Sequence, residues 1–281
     1  MAASEKNESQ REERVREIHK YVLDAGSVRV GSLSKQFGVT DETIRRDLDH
    51  LASMGLVRRT HGGAVAPGST LTEDPYQVRS KEYRREKSEI AKLVAKELVP
   101  RGSAVALDAG STTLEIARAL RGMQVTIVTN SLPIISELTG SDCTVISVGG
   151  TARARSLSLV GPLAELGAAH FFYDVAFITA PGITPEHGPM DADLEEIAVK
   201  QCFVRQARST YIPVDHSKLG RTSFASICRT EDLTGIVTDS GASDADLAPY
   251  EEFGLDIYRC GPLKRCPEPS EENEGAMHNE R

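Results

Sequence analysis

The sequence predicts an α/β protein in two parts: a small helical module at the N-terminus, followed by a larger body built on a mostly parallel sheet. Three observations carry that expectation. The chain has 281 residues, 40% of them hydrophobic, which is enough for two buried cores. Its charge is uneven: residues 1–66 hold 11 Lys/Arg against 10 Asp/Glu, the remainder holds 22 against 31, and the whole carries −8. Beyond the first 80 residues, short Val- and Ile-rich runs alternate with stretches of helical period, the pattern of a parallel sheet covered by helices.

Within the first part, Val15, Ile18 and Val22 recur at helical spacing, as do Leu33 and Phe37, and then Ile44, Leu48 and Leu51. Between the second and third helices, Gly38 suits the left-handed residue that closes a helix, and Thr40 suits the cap of the next. Asp41 and Glu42 follow in the first turn, where the helix dipole favours acid. A turn this short between two helices is helix-turn-helix spacing. With Ile44, Leu48 and Leu51 inward, Thr43, Arg45, Arg46 and His50 face outward, as a helix entering the major groove of duplex DNA requires.

"LVRRTHGGAV" then reads as a β-wing whose Arg58, Arg59 and His61 approach phosphates or the minor groove, turning at Gly62 and Gly63. The plainer alternative is a solvated helix face followed by an ordinary hairpin. The order helix, turn, helix, basic wing favours the DNA-binding reading, and the near-neutral head on an acidic body fits a polyanion-binding module.

A linker is expected at 67–80, opening with "PGSTLTEDPY", and separates this module (10–66) from the α/β body (81–262). The stretch 80–98 predicts an amphipathic helix through Ile90, Leu93, Val94 and Leu98. Six buried strands follow ("SAVALD", "VTIVTN", "CTVISVGG", "YDVAFIT", "STYIPVD", "TGIVTD"), with helices at "TLEIARALR", "LPIISELT", "LEEIAVKQCFVRQA" and "DLAPYEEF". Residues 263–281 are acidic and read as a disordered tail.

Ligands of such sheets bind beyond the C-terminal ends of the strands. There Asp108, Gly110, Ser111, Thr112 and Thr113 form a hydroxyl-rich glycine turn opening a helix. This is either a phosphate cradle or a capped loop. Asn130 and Ser131 end the next strand, and Gly149, Gly150 and Arg153 the third; Arg153 could pair a phosphate or be a surface charge. Lys200 could hold a phosphate or carbonyl oxygen, or form an i, i+4 bridge to Glu196, while Asp191 and Lys218 lie near other strand ends. Asp215, His216 and Ser217 are sequence neighbours that cannot easily converge as a hydrolytic triad.

Cys143, Cys202, Cys228, Cys260 and Cys266 contain no C-x-x-C pair and read as reduced thiols, with no metal or cofactor expected. No apolar run nears the roughly 18 residues of a spanning helix and the N-terminus is charged, so a cytoplasmic protein without a membrane partner is expected.

"VTDETIRRDLDHLASMGLVRRTHGGAV" resembles the N-terminal signature of DeoR-family transcriptional regulators. "LDAGSTT", "TNSLPI", "VGGTARARSLSLVGP", "DLEEIAVK" and "VDHSKLG" resemble that family's C-terminal effector domain, whose Rossmann-like fold is similar to ribose-phosphate isomerase. Together these cover roughly residues 10 to 260. The resemblance implies a repressor of a carbohydrate operon, relieved by a phosphorylated sugar or related metabolite and working as a homodimer or homotetramer. It also implies that Asp108 and Gly110 to Thr113 surround the phosphate, with Asn130 and Lys200 alongside, and Arg153 and Lys218 as further ligands. One departure stands out: "TAPGI" puts Pro181 where the family commonly has an acidic residue. An isomerase carrying a DNA-binding head would need a general base at such a place. A DNA-binding protein indifferent to metabolites is the third possibility.

Overall fold

The computed structural model describes residues 2–54, 56–60, 62–65 and 74–261, excepting the side chains of residues 2–10, 12 and 58. His61, residues 67–73 of the expected linker, Cys266 and the acidic end lie outside the described residues.

In the N-terminal part, α1 (Ala2–Ala25), β1 (Ser27–Arg29), α2 (Val30–Phe37) and α3 (Asp41–Ser53) are followed by β2 (Arg58–Thr60) and β3 (Gly63–Val65). Gly38 closes α2 at φ 63°, and the Thr40 side chain accepts the Thr43 N–H at the start of α3. Ile18, Leu33, Ile44 and Leu48 are fully buried against one another. At about 1.5–3 kcal/mol per large apolar side chain, this small core holds the three helices together. The strands form an antiparallel sheet in the order β1-β3-β2, so the predicted two-stranded wing has a third strand, β1, which its three residues were too short to signal.

From Tyr76 the chain continues through α4 (Tyr76–Arg79), α5 (Arg84–Glu97), β4 (Ala104–Leu107), α6 (Ser111–Leu120), β5 (Thr126–Thr129), α7 (Leu132–Leu138) and β6 (Thr144–Ser147). A hairpin of β7 (Thr151–Arg153) and β8 (Ser158–Val160) leads to α8 (Pro162–Ala169) and β9 (Val175–Phe177). Next come β10 (Gly182–Thr184), β11 (Gly188–Asp191), α9 (Leu194–Gln206), β12 (Thr210–Pro213) and β13 (Ala225–Ser226). The last elements are β14 (Gly235–Thr238), α10 (Asp244–Glu252) and β15 (Asp256–Arg259).

Seven strands form a wholly parallel sheet in the order β15-β14-β12-β9-β4-β5-β6. Alternation along each strand sends Val105 and Leu107 to one face, against α5, α6 and α7, and Ala106 to the other, against α8, α9 and α10. The result is a three-layer α/β domain. The chain runs outward from β4 to β6, returns to β9 on β4's other side, and continues to β15. The crevice between the ends of β4 and β9 is therefore the switch point of the sheet. Among the described residues, no helix is long and apolar enough to cross a membrane.

Candidate functional site

The first candidate surface is the outer face of α3. Arg45 and Arg46 leave 53% and 75% of their side chains exposed, with Glu42 beside them at 3.8 and 3.4 Å. His50 is exposed in the last turn. Thr40 and Thr43 share a hydroxyl contact of 2.9 Å at the helix start, beside exposed Asp41. Within the wing, Arg59 and Gly63 are more constrained than their sequence suggests. Arg59 donates to Asp49 Oδ1 at 2.7 Å and to the Gly63 carbonyl. Gly63 is buried, and a Cβ there would lie 1.7 Å from the Val28 carbonyl oxygen, so this glycine serves the close approach of β3 to β1 rather than the groove. Gly62 is exposed, its carbonyl accepting the Val30 N–H. Asp47, buried on α3, takes Arg14 at 2.7 Å and Arg11 at 3.6 Å, which locks α1 to α3.

The second is a cavity of about 70 Å³ beyond the ends of β4, β9 and β12. A single water needs about 10–15 Å³ of such space, so the cavity takes a small group rather than a chain segment. Ser111 and Thr112 line one side. They occupy the first turn of α6, where Leu114 N–H is the first to bond back, to the Gly110 carbonyl; the amides ahead of it stand outside the helical ladder. Such a helix start attracts an anion through its amides and its dipole. Lys87, Lys200, Lys218, Arg79 and Arg221 bring cationic side chains to the lining, and Asp74, Glu82 and Asp215 bring acidic ones. Ala180, Pro181, Pro213 and Val214 form its apolar part.

Beneath the lining lies a buried polar floor. Lys200 Nζ donates to Asp191 Oδ2 at 2.6 Å and to the Thr179 carbonyl at 2.9 Å, and sits 3.4 Å from Asp108 Oδ2. Asp108 accepts both the N–H and the hydroxyl of Thr179, which ties the end of β4 to the end of β9. Burial works against the Lys200 charge, but Asp191, Asp108 and Glu196 outweigh it and hold the ammonium above its ordinary range. Burial likewise pushes the Asp108 carboxyl up, against the pull of Lys200 and Thr179. The i, i+4 pairing of Lys200 with Glu196 gives way to this three-way contact.

Of the residues singled out in the sequence, the structure brings Ser111, Thr112, Lys200 and Lys218 to the cavity. Asp108 and Asp191 lie in the floor behind it. Gly110 is there because a Cβ would come within 2.3 Å of Thr179 Oγ1, and Thr113 turns its hydroxyl back onto the Asp108 carbonyl. Asn130, Ser131, Gly149, Gly150 and Arg153 lie outside the lining. The Asn130 amide donates to the Leu159 carbonyl, and Ser131 caps α7. Gly149 adopts φ 77° at the turn out of β6, where left-handed backbone favours glycine. A Cβ on Gly150 would meet the Val160 carbonyl at 2.7 Å, and Arg153 pairs with Asp193 at 2.8 Å. These five organise the β7–β8 hairpin and its neighbours.

Sequence reasoning missed Lys87, Arg79, Arg221 and Thr179. For Lys87 a signal existed: it falls on the buried stripe of α5 with Ile90, Ala91 and Val94, where a lysine is out of place. Its ammonium donates to the Arg79 and Glu82 carbonyls at 2.6 and 2.7 Å. Burial and the nearby cations Lys218 and Arg79, against Asp215 and Glu82, bring its pKa down to about 8. Burial lowers Lys218 as well.

Comparison with known proteins matches both parts of the chain. Residues 14–70 match the DeoR-like helix-turn-helix domain, and residues 82–240 match the DeoR C terminal sensor domain. The HTH-type transcriptional regulator GlpR of Haloferax volcanii is 37% identical over 83% of this chain and 91% of its own. The uncharacterized HTH-type transcriptional regulator YulB of Bacillus subtilis is 33% identical over 90% and 98%. The glycerol-3-phosphate regulon repressor of Escherichia coli is 32% identical over 79% and 88%. Among solved structures, the ribose 5-phosphate isomerase A of Methanocaldococcus jannaschii aligns with 47% of this chain and 52% of its own, at 17% identity and a TM-score of 0.36. With a DNA-binding head and a sensor body each matched in order along one chain, the protein belongs to the DeoR family of transcriptional regulators.

Proposed function

We propose that the protein is a repressor that holds an operator through α3 and the wing and lets go when a phosphorylated sugar or related small metabolite enters the cavity at the β4–β9 switch point. The observation that carries this is the first turn of α6. Ser111 and Thr112 present a helix N-terminus to a cavity whose other walls bear Lys87 and Lys218, an arrangement suited to one small, doubly charged oxyanion. A relative named for a glycerol-3-phosphate regulon supports a phosphorylated effector. Paired half-sites on DNA favour an even-numbered homo-oligomer. The reading is of a sensor rather than an isomerase: Asp108 and Asp191 are committed to Lys200, Asp215 is committed to capping Ser217, and Pro181 offers no base. A metabolite shifts operator affinity only as far as it prefers one arrangement of the heads, typically 1–3 kcal/mol, or about 5- to 150-fold.

The test is a panel of sugar phosphates screened for a rise in the melting temperature of the full chain, followed by gel-shift titration on an operator recovered by binding-site selection. Thr112→Val is expected to abolish release by the stabilising compound while leaving operator affinity unchanged. Release retained in that variant would remove the α6 turn from the effector site.

A further inference from the structure

The segment that precedes the sensor fold contributes to the cavity's own wall. Asp74, Arg79 and Glu82 all line it, on the stretch that runs through α4 to the start of α5. Tyr83, at φ 48°, is one of two non-glycine residues in the left-handed region among the described residues, and it breaks α4 from α5. A left-handed tyrosine is held by its surroundings rather than by its own preference. Two contacts do this: the Tyr83 ring meets His216 edge-on at 5.3 Å, and the Lys87 ammonium reaches back to the Arg79 carbonyl at the end of α4 and the Glu82 carbonyl just before Tyr83.

An ammonium has three N–H donors. Two of those on Lys87 go to these carbonyls; the third has no partner among the described residues, and Lys87 borders the cavity. Lysine at this place thus joins the cavity to the strap leading back toward the DNA-binding head. We propose that Lys87 binds the effector's anionic group with its third N–H and thereby couples cavity occupancy to the order of residues 74–83. The coupling rests on the effector reading given above. An anion beside Lys87 stabilises its charged form, and a charged donor makes stronger hydrogen bonds to carbonyls than a neutral amine does. Ligand and strap therefore reinforce one another: an anion tightens residues 76–83, and a tightened strap raises anion affinity. The lowered pKa of Lys87 agrees with an ammonium that gains from such a counterion.

Hydrogen exchange of the full chain, with and without inorganic phosphate and with chloride matching ionic strength, tests this. Phosphate is expected to slow exchange in 76–83 in the wild type. In Lys87→Met, affinity for phosphate is expected to drop at least tenfold, and exchange in 76–83 should stay fast at saturation. Lys218→Met serves as the comparison: its affinity also falls, but once saturated it slows the strap as the wild type does. Unperturbed exchange in β4 and β9 shows that each variant is folded. Slowing of the strap in Lys87→Met equal to the wild type, or wild-type phosphate binding with no slowing, overturns the coupling and leaves the sensor reading standing. Failure of every sugar phosphate to stabilise the wild type instead overturns the sensor reading itself.

Discussion

The outer face of α3 and the cavity of the α/β domain both gather cationic side chains, and they hold them in opposite ways. Arg45 and Arg46 stand in solvent, paired with Glu42 at 3.8 and 3.4 Å, an exposed pairing worth about 0–1 kcal/mol. Lys200 and Lys87 are almost fully buried, the first between carboxylates, the second on main-chain carbonyls. A duplex is a long polyanion met edge-on, so mobile surface arginines that release counterions suit it, at the cost of salt sensitivity. A small metabolite is enclosed instead, so its partners are fixed in advance and less screened by salt. Under the proposed function, the same charge type would serve two ligands because burial differs.

The largest expected effect breaks this contrast on the buried side. Lys200→Met removes the ammonium that pairs with Asp191 and Asp108 and leaves two buried carboxylates without their cation. Removing one partner of a buried ionic cluster typically costs about 3–5 kcal/mol, and urea unfolding of the α/β domain should show a loss of that size. A loss no larger than a surface substitution gives, about 0.5 kcal/mol or less, would mean that the cluster is not the structural floor its geometry indicates.

On the exposed side the consequence falls on binding instead of stability. Arg46→Ala should leave the unfolding midpoint unchanged and weaken operator binding by about 1–3 kcal/mol if the side chain meets a base edge. If it meets a phosphate, the loss should be uniform across DNA sequences, with the salt slope reduced by about one. Operator binding unchanged at every salt concentration would take Arg46 out of the interface.

How far each region was legible in the sequence follows from the same difference. In the head, local rules settle most of the outcome: Gly38 and Thr40 cap as their types demand, and Ile44, Leu48 and Leu51 turn inward by spacing. The Asp47 bridge to Arg14 was hidden because its partners are 33 residues apart. In the α/β domain, six strands were legible as apolar runs. The seventh, β15, was not: it is an edge strand whose burial runs exposed, half-buried, half-buried, exposed, without a continuous apolar signature. α8 was missed because its Gly and Ala content gives little helical periodicity. The cavity was legible only at the α6 turn and at Lys200 and Lys218. Lys87 left only the sign of a lysine on a buried stripe, and Arg79 and Arg221 reach the cavity from separate segments, where no local pattern announces a convergence that the sheet order creates.

The smallest expected effect sharpens the comparison, because it reads burial of one cation directly. The pKa of Lys87 stands at about 8 while that of an unstructured lysine is 10.5. Between those values the folded chain binds fewer protons than the unfolded one, so Lys87 makes stability rise with pH across that window and contributes no slope below it. Sulfate, which does not titrate there, favours the charged ammonium. Its affinity should therefore be flat up to about pH 7 and fall by roughly three- to tenfold by pH 9, as Lys87 loses a proton that burial, Lys218 and Arg79 loosen against the pull of Asp215 and Glu82. Calorimetry in buffers of different ionisation enthalpy should show a fractional proton taken up on binding near pH 8. Lys87→Met is expected to remove both the uptake and most of the fall. Proton uptake persisting undiminished in that variant would assign the titration to Lys218, whose pKa is lowered by the same burial. No exposed arginine of α3 can produce such a signature, since guanidinium stays charged throughout this range.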